Sequence, residues 1–120
     1  MKFLMLVKAN EKYRNEGPPQ ALMEAMGEFV QAAFKSGQLV DTGGLKPSSA
    51  AARFSIANGK LTTTDGPFTE AKEVVGGWAI VKVSSRAEAL EIGRKFMELH
   101  QQHWPGWQGA SEAYEMEEYG

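Results

Sequence analysis

The sequence contains no cysteine, which excludes disulfides, thiolate catalysis and cysteine-ligated metal sites. This absence is typical of a reducing compartment, and we expect a cytoplasmic protein. No apolar run approaches the roughly 20 residues that span a bilayer. The apolar run 3–7 is also too short for a signal-peptide core, and it stops at Lys8 with no cleavage site of small residues behind it. We therefore expect neither a membrane partner nor a secretory signal.

An excess of positive charge is also missing. The 13 Lys and Arg residues are outweighed by 15 Asp and Glu residues, which gives a formal net charge of -2. Nucleic-acid-binding proteins usually carry a basic stripe, whereas the basic residues here are scattered, so we expect no nucleic-acid partner. The length of 120 residues and the apolar fraction of 42% fit one globular domain that covers residues 1–120.

The pattern of apolar residues predicts both strands and helices. The predicted strands are 2–8, 38–45, 52–57, 60–64, 78–83 and 110–118, and the predicted helices are 19–36 and 85–103. Asn58-Gly59 predicts a tight hairpin turn, because both turn positions need a positive φ. Ser85 and Glu88 form a capping box at the start of the second helix. The polar, Gly- and Pro-containing segment 10–19 predicts a loop.

This order of elements predicts an α+β fold of the ferredoxin-like split βαβ type, with an elaborated central hairpin. Two helices cover only one face of a sheet. Strands 2–8 and 78–83, however, carry large apolar residues on both faces, so the second face needs another cover. We expect a second copy of the chain, packed sheet to sheet about a two-fold axis, which gives a homodimer with the form of a dimeric α+β barrel.

The segment 65–78 reads DGPFTEAKEVVGGW, and with the weaker matches at 1–4, 44–47 and 58–60 it resembles the YCII-related, or DGPF-domain, family. The resemblance covers residue 1 to about residue 100. It implies a ferredoxin-like dimer, mostly without an assigned reaction, and in some members a link to extracytoplasmic-function sigma factors. Compact relatives are proposed to use a His–Asp pair, with the histidine near the start of the first helix. This sequence has no histidine before His100, so the resemblance does not transfer that pair.

Asp65, His100 and His103 are the candidate catalytic residues. Asp65 lies in a predicted turn, where a carboxylate can act as a general base or can cap backbone N–H groups. His100 and His103 are the only imidazoles, three residues apart on one helix face. They fit an acid–base pair, the start of a metal site, or structural histidines bonded to a carbonyl. No further ligand stands at a fixed spacing, so we expect no metal and no cofactor.

The candidate ligand-binding residues lie in three segments. Trp104, together with Trp107 on the other side of Pro105-Gly106, either walls a pocket, forms an interface or covers the sheet edge. Tyr13 and Arg14 lie in the predicted loop, where they either bind an anionic ligand or belong to a solvated loop without a ligand. Gly66, Pro67 and Phe68 form the turn after Asp65, where Phe68 would anchor the turn to the core.

Two functions remain open at this point. One is a small dimeric domain that binds a small molecule or a protein partner, in a regulatory setting linked to sigma factors of the kind that the resemblance implies. The other is a small cofactor-free enzyme that uses Asp65, His100 or His103 as acid and base in the cleft between the helices and the sheet.

Overall fold

A computed structural model of the chain describes residues 1–119, apart from the side chain of Arg14. The strands and helices follow each other in this order: β1 Lys2–Ala9, α1 Glu11–Glu16, α2 Gln20–Ser36, β2 Leu39–Gly44, β3 Ala52–Ala57, β4 Lys60–Asp65, β5 Val74–Lys82, α3 Arg86–His103 and β6 Gly109–Glu115. A short 3-10 helix, Ser48–Ala50, lies between β2 and β3. None of the helices in the described part of the chain is long and apolar enough to cross a membrane.

Four of the strands form one antiparallel sheet in the order β2-β5-β1-β6. Helix α2 lies in the crossover from β1 to β2, and α3 lies in the crossover from β5 to β6. This α+β arrangement confirms the predicted class and is compatible with a ferredoxin-like fold. Strands β3 and β4 pair only with each other, as a two-stranded hairpin inserted between β2 and β5.

Both long helices pack on the same face of the sheet. The buried residues between the layers form one cluster, which consists of Phe3, Met5, Leu39, Val81, Val83 and Ala89. Because successive strand residues point to opposite faces, Leu4 and Leu6 lie on the other face, opposite Ile80 and Trp78. The molecule is 19 Å in its shortest dimension, which fits a sheet with one helix layer. No helix of residues 1–119 packs on this second face, which we call the open face.

The β3–β4 hairpin extends away from the two layers. Its Asn58-Gly59 turn has φ angles of 51° and 76°, as the Asn-Gly pair predicts. Phe54, Ile56 and Leu61 are 72%, 76% and 64% exposed. The radius of gyration is 16.0 Å, against the value of about 13.6 Å expected for a compact chain of this length. The hairpin therefore contributes little to the core of its own chain.

The segment 10–19 differs from the loop that the sequence predicts, because residues Glu11–Glu16 form helix α1. The side chain of Asn10 accepts a hydrogen bond from the backbone N–H of Lys12 at 2.8 Å and so caps the helix. Gly17, with a φ of 77°, ends it. Asn and Gly are also the usual residues of turns, which explains why the pattern predicts a loop. Tyr13 and the backbone of Arg14 accordingly belong to a helix.

The two long helices agree with the prediction to within a residue at each end. Ser85 accepts a hydrogen bond from the backbone N–H of Glu88 at 3.2 Å, and the carboxylate of Glu88 accepts one from the N–H of Ser84. The cap by Ser85 is therefore confirmed, whereas Glu88 accepts from the residue before the cap and not from Ser85 itself as a capping box requires. Strand β5 begins at Val74 rather than at residue 78, since its pairing with β1 continues through a β-bulge at Gly76 and Gly77.

Candidate functional site

A cavity of about 450 Å³ lies between the helix layer and the sheet. Small-molecule sites in proteins commonly enclose about 300–1,000 Å³. Met5, Val7 and Val81 line it from the sheet, and Val30 and Ile92 line it from the helices. No charged side chain is part of this wall in the described portion of the chain. The cavity is therefore suited to an uncharged, mainly apolar molecule.

Six aromatic rings follow one another along the cavity wall. Each ring centroid lies between 4.7 and 6.1 Å from the next, which is the range of favourable aromatic pairs. In spatial order the rings are those of Phe29, Phe96, His100, Trp107, Trp104 and Tyr13. We call this set the aromatic wall.

The end of α3 explains how two indole rings join the wall. The helix stops at His103, and the backbone N–H of Trp107 donates to the carbonyl of Trp104 at 3.1 Å, which closes a turn. Gly106 has a φ of 83° in this turn, a conformation that glycine adopts without strain. The Tyr13 hydroxyl donates to the Gly106 carbonyl at 3.1 Å. Helix α1 is thereby tied to the turn that carries both tryptophans.

His100 is the titratable imidazole of this wall, and it is only 6% exposed. Its Nδ1 lies 3.1 Å from the carbonyl oxygen of Phe96, which only accepts hydrogen bonds, so Nδ1 carries the proton. Burial lowers the pKa of His100 below its usual value, and the hydrogen bond to Phe96 offsets this only in part. The imidazole is therefore neutral at neutral pH, with its lone pair on Nε2.

The Asp-Gly-Pro-Phe turn lies away from the cavity, at the base of the hairpin. Asp65 is exposed and ends β4 opposite Ala52, and its carboxylate has no hydrogen-bond partner among the described residues. Around it the turn is held by backbone groups: the N–H of Gly66 donates to the Ala51 carbonyl at 2.8 Å, and the N–H of Phe68 donates to the Ser48 hydroxyl at 3.2 Å. Neither the acid–base role nor the capping role expected of Asp65 has a contact that supports it.

Ser48 connects this turn to helix α1. Its backbone N–H donates to the carboxylate of Glu11 at 3.1 Å, and its hydroxyl donates to the same carboxylate. A Cβ atom at Gly66 would overlap the carbonyl oxygen of Ser48. Gly66 is thus required by a close backbone approach, whereas its φ is not in the left-handed region. These contacts describe a junction between three segments of the chain.

Phe68 does not anchor the turn to the core as expected. The ring is half-buried, and the guanidinium of Arg53 lies 4.1 Å from its centroid. Arg53 also forms an ion pair with Glu70 at 2.6 Å. Phe68 therefore packs beneath a surface ion pair, and the hydrophobic cluster between helices and sheet is built without it.

The structure brings together three of the residues expected to bind or react, namely Tyr13, His100 and Trp104. His103 is half-buried at the end of α3 and is not part of the cavity wall. Gly66, Pro67 and Phe68 are not part of it either, and the side chain of Arg14 lies outside the described residues. In the part of the chain that the structure describes, no three His, Asp or Glu side chains are placed to hold a metal ion.

The sequence pattern predicts Phe29 and Phe96 only as members of the apolar stripes of the two long helices. For the segment 104–107, which ends at Trp107, it leaves a pocket wall, an interface or a cover of the sheet edge open. Phe96 and His100 are four residues apart, a spacing that places both side chains on one helix face. That spacing alone also fits an ordinary core stripe. What distinguishes the site is the ring of Phe29, which α2 brings to 5.8 Å from Phe96.

The fold and the cavity define a small α+β protein with a ligand-sized apolar site. The model of the YCII-related domain matches residues 1–100, and the chain belongs to this family. Among curated proteins it is similar to an uncharacterized protein of Rhizobium meliloti (strain 1021), at 30% identity over 89 residues. The aligned region covers 74% of this chain and 68% of that protein.

Proposed function

We propose that this protein binds a small, uncharged, mainly apolar molecule in the cavity between its helices and its sheet, and that it does so as a homodimer. The observation that carries the proposal is the aromatic wall, which faces a space of about 450 Å³ with no charged side chain around it in the described residues. Aromatic side chains that line a cavity are typical of ligand sites.

The enzyme alternative has less support. General acid–base catalysis needs the acid or base within hydrogen-bond reach of the reacting group. His100 lies on the cavity wall, but Asp65 and His103 do not, and no carboxylate joins His100 on that wall among the described residues. A binding protein needs only the cavity, so binding is the simpler function.

The homodimer is supported by the open face. Leu4, Leu6, Trp78 and Ile80 form its apolar centre, and Lys8 with Glu112 forms an ion pair at its edge at 3.3 Å. Charged residues border this centre, with the Lys8–Glu112 pair at one end and Lys2 opposite Lys82 at the other. An apolar centre with a charged rim suits a two-fold interface between identical surfaces. Packing of two such faces gives the dimeric α+β barrel.

The hairpin supports the same assembly. An isolated two-stranded hairpin is at best marginally stable in water, and here Phe54, Ile56 and Leu61 are each more than 60% exposed. A second copy that covers these side chains supplies the packing that the hairpin lacks. We propose that the hairpin extends the interface formed by the open face.

The resemblance to the YCII-related family supports a regulatory role for this binding function. Some relatives are linked to sigma factors, and a dimer that senses a small molecule suits a regulatory role of that kind. A cytoplasmic location is consistent with the absence of cysteine.

Gly27 provides a test that separates binding from folding. It lines the cavity from α2 at an exposed position, and a Cβ there would meet no atom outside its own stretch of helix within 4 Å. Gly27→Leu places a bulky side chain at this open edge of the cavity. The replacement of a helix-interior glycine also stabilises the helix by about 0.5–1 kcal/mol. We expect a variant that is at least as stable as the original protein but no longer binds an uncharged dimethylaminonaphthalene fluorophore. Gly27→Ala is the matched control, because it gives the same helix effect and leaves the cavity open.

The measurement is a fluorescence titration together with a thermal melt of each variant. Binding by the original protein and by Gly27→Ala, but not by Gly27→Leu, supports the proposal. Equal binding by all three, or no binding by the original protein, contradicts it. Organic extracts of the freshly purified protein, analysed by mass spectrometry, provide an independent search for a natural ligand.

A further inference from the structure

The polar groups on the cavity wall are few, and most of them are already engaged within the protein. The hydroxyl of Thr42 donates to the Trp78 carbonyl at 2.8 Å, and the side-chain amide of Gln38 donates to Glu88 at 3.0 Å. The Tyr13 hydroxyl donates to Gly106. A ligand in the cavity therefore has few polar atoms left to contact.

Nε2 of His100 is one of the polar atoms that remain. It has no hydrogen-bond partner among the described residues, whereas Nδ1 is held by the Phe96 carbonyl. Since Nδ1 carries the proton of the neutral ring, Nε2 can only accept a hydrogen bond. Ser111 also lies on the wall, and its hydroxyl has no partner among the described residues. Because a hydroxyl can donate or accept, it discriminates less between ligands that donate and ligands that accept a hydrogen bond.

The shape of the wall adds a second requirement. The six rings of the aromatic wall form a continuous series from Phe29 to Tyr13, and His100 lies within that series, next to Trp107 at 4.7 Å. Flat aromatic molecules gain most from offset or edge contacts with such rings. A molecule that packs on them has its edge within reach of the imidazole.

We propose that the ligand is an uncharged aromatic molecule with a hydroxyl or N–H group, and that this group donates a hydrogen bond to Nε2 of His100. This inference rests on the proposed binding function and specifies the chemical class of its ligand. A site whose imidazole nitrogen can only accept prefers a phenol-type molecule to its ether or its parent hydrocarbon, because the ether and the hydrocarbon leave this acceptor unpaired.

His100 and Trp107 also border a shallower depression on the outer surface, which is lined by Arg94, Glu98 and Gln101. Binding there would involve charged neighbours and would not depend on the cavity. The test must therefore distinguish the two places, and Gly27→Leu does so because Gly27 belongs to the cavity wall alone.

The experiment compares the affinities of 2-naphthol, 2-methoxynaphthalene and naphthalene, measured by quenching of tryptophan fluorescence at a pH where naphthol is uncharged. We expect 2-naphthol to bind about tenfold more tightly than the other two, as one hydrogen bond to a buried acceptor allows. His100→Phe keeps a ring beside Trp107 and removes the acceptor. In this variant we expect the three affinities to agree within about twofold. The comparison in the original protein needs no variant, so it stands even if His100→Phe fails to fold.

The outcomes separate the two proposals. Equal binding of all three compounds by the original protein, abolished by Gly27→Leu, overturns the hydrogen-bond inference and leaves the apolar cavity intact as the binding site. A preference for 2-naphthol that persists in His100→Phe also overturns the inference. Failure of every compound to bind, or binding that Gly27→Leu does not affect, overturns the proposed function and this inference with it.

Discussion

The imidazole of His100 and the indole of Trp107 lie with their centroids 4.7 Å apart and their planes tilted by 41°. One ring comes from α3 and the other from the turn that follows it. Both rings line the cavity on one side and the surface depression on the other, so they form the partition between the two spaces. The protonation state of His100 therefore affects both the cavity and the packing of its wall.

The stability of the protein should fall as the pH is lowered from about 7 to about 5.5. Burial lowers the pKa of His100 in the folded state, so the unfolded chain, with a histidine pKa near 6.5, binds a proton more readily. The stabilisation is fully present above about pH 6.5 and is lost as the pH falls below it toward the folded pKa. Carboxylates with lowered pKa, such as Glu88 and Glu112, act at lower pH and do not affect this window.

Urea midpoints measured across this range for His100→Phe and His103→Phe check the prediction. We expect His100→Phe to flatten the pH dependence. His103→Phe is the matched control, because it removes the other imidazole of α3 from outside the cavity wall, and it should keep the slope. A slope in His100→Phe equal to that of the original protein would show that the loss of stability arises elsewhere.

Substitutions in the Asp-Gly-Pro-Phe turn should differ widely in their cost. Gly66→Ala should be the most damaging, because its Cβ overlaps a backbone carbonyl that cannot turn aside. Phe68→Ala should cost about 1–2 kcal/mol, less than the 3–5 kcal/mol of a fully buried ring, since the ring is half-buried beneath Arg53. Asp65→Asn should change stability by less than about 0.5 kcal/mol, because its exposed carboxylate has no partner among the described residues. Urea midpoints of the three variants test this ranking, and Asp65→Asn as the most damaging change would contradict it.

The long elements of the fold could be predicted because local signals and packing agree in them. Helix α2 has an apolar stripe that ends before Gly37, and α3 is capped by Ser85 and ends before Pro105. Helix α1 was missed because six residues carry too little periodicity to distinguish a capped turn of helix from a loop. Asn58-Gly59 predicts the hairpin, but nothing in the sequence of residues 52–65 indicates that the hairpin does not pair with the main sheet.

The site could be predicted only in part, for a physical reason. Its rings come from α1, α2, α3 and the following turn, and their convergence depends on how the helices cross the sheet. An acidic residue in a tight turn can be catalytic, yet Asp65 is exposed, does not line the cavity, and has no hydrogen-bond partner for its carboxylate among the described residues. Residue type alone indicates which side chains are candidates for the site. How the helices pack on the sheet determines which of these side chains lie next to each other.

The open face should mediate self-association. Leu6→Lys places a charge at the centre of that face, opposite Trp78, where burial of an unpaired charge is costly. We expect the original protein to sediment as a dimer at micromolar concentration, and Leu6→Lys to sediment as a folded monomer or to unfold. Met23→Lys is the control, because Met23 is 52% exposed on α2, on the helix side of the molecule.

The β3–β4 hairpin provides a second test of the proposed dimer interface. Phe54→Ser removes a side chain that is 72% exposed in the single chain, so it should barely change the stability of a monomer. If the hairpin joins the interface, the variant should weaken the dimer by at least about tenfold, since a buried aromatic side chain contributes more than about 1.4 kcal/mol. A monomeric original protein would contradict both predictions, and an unchanged dimer in Phe54→Ser would exclude the hairpin from the interface.

We expect no tightly bound transition metal in the purified protein. Cysteine is absent, and the two imidazoles are those of His100 and His103. Nδ1 of His100 is engaged by the Phe96 carbonyl, so only Nε2 is free to bind a metal. With His103 as the one other imidazole ligand, most of the coordination positions of a divalent ion would be filled by water. A two-fold axis beside α3 is the one arrangement that would bring four histidines together from two copies. Elemental analysis of tag-free protein tests this, and near-stoichiometric zinc, nickel or iron that is lost in His103→Phe would contradict it and would favour the enzyme alternative.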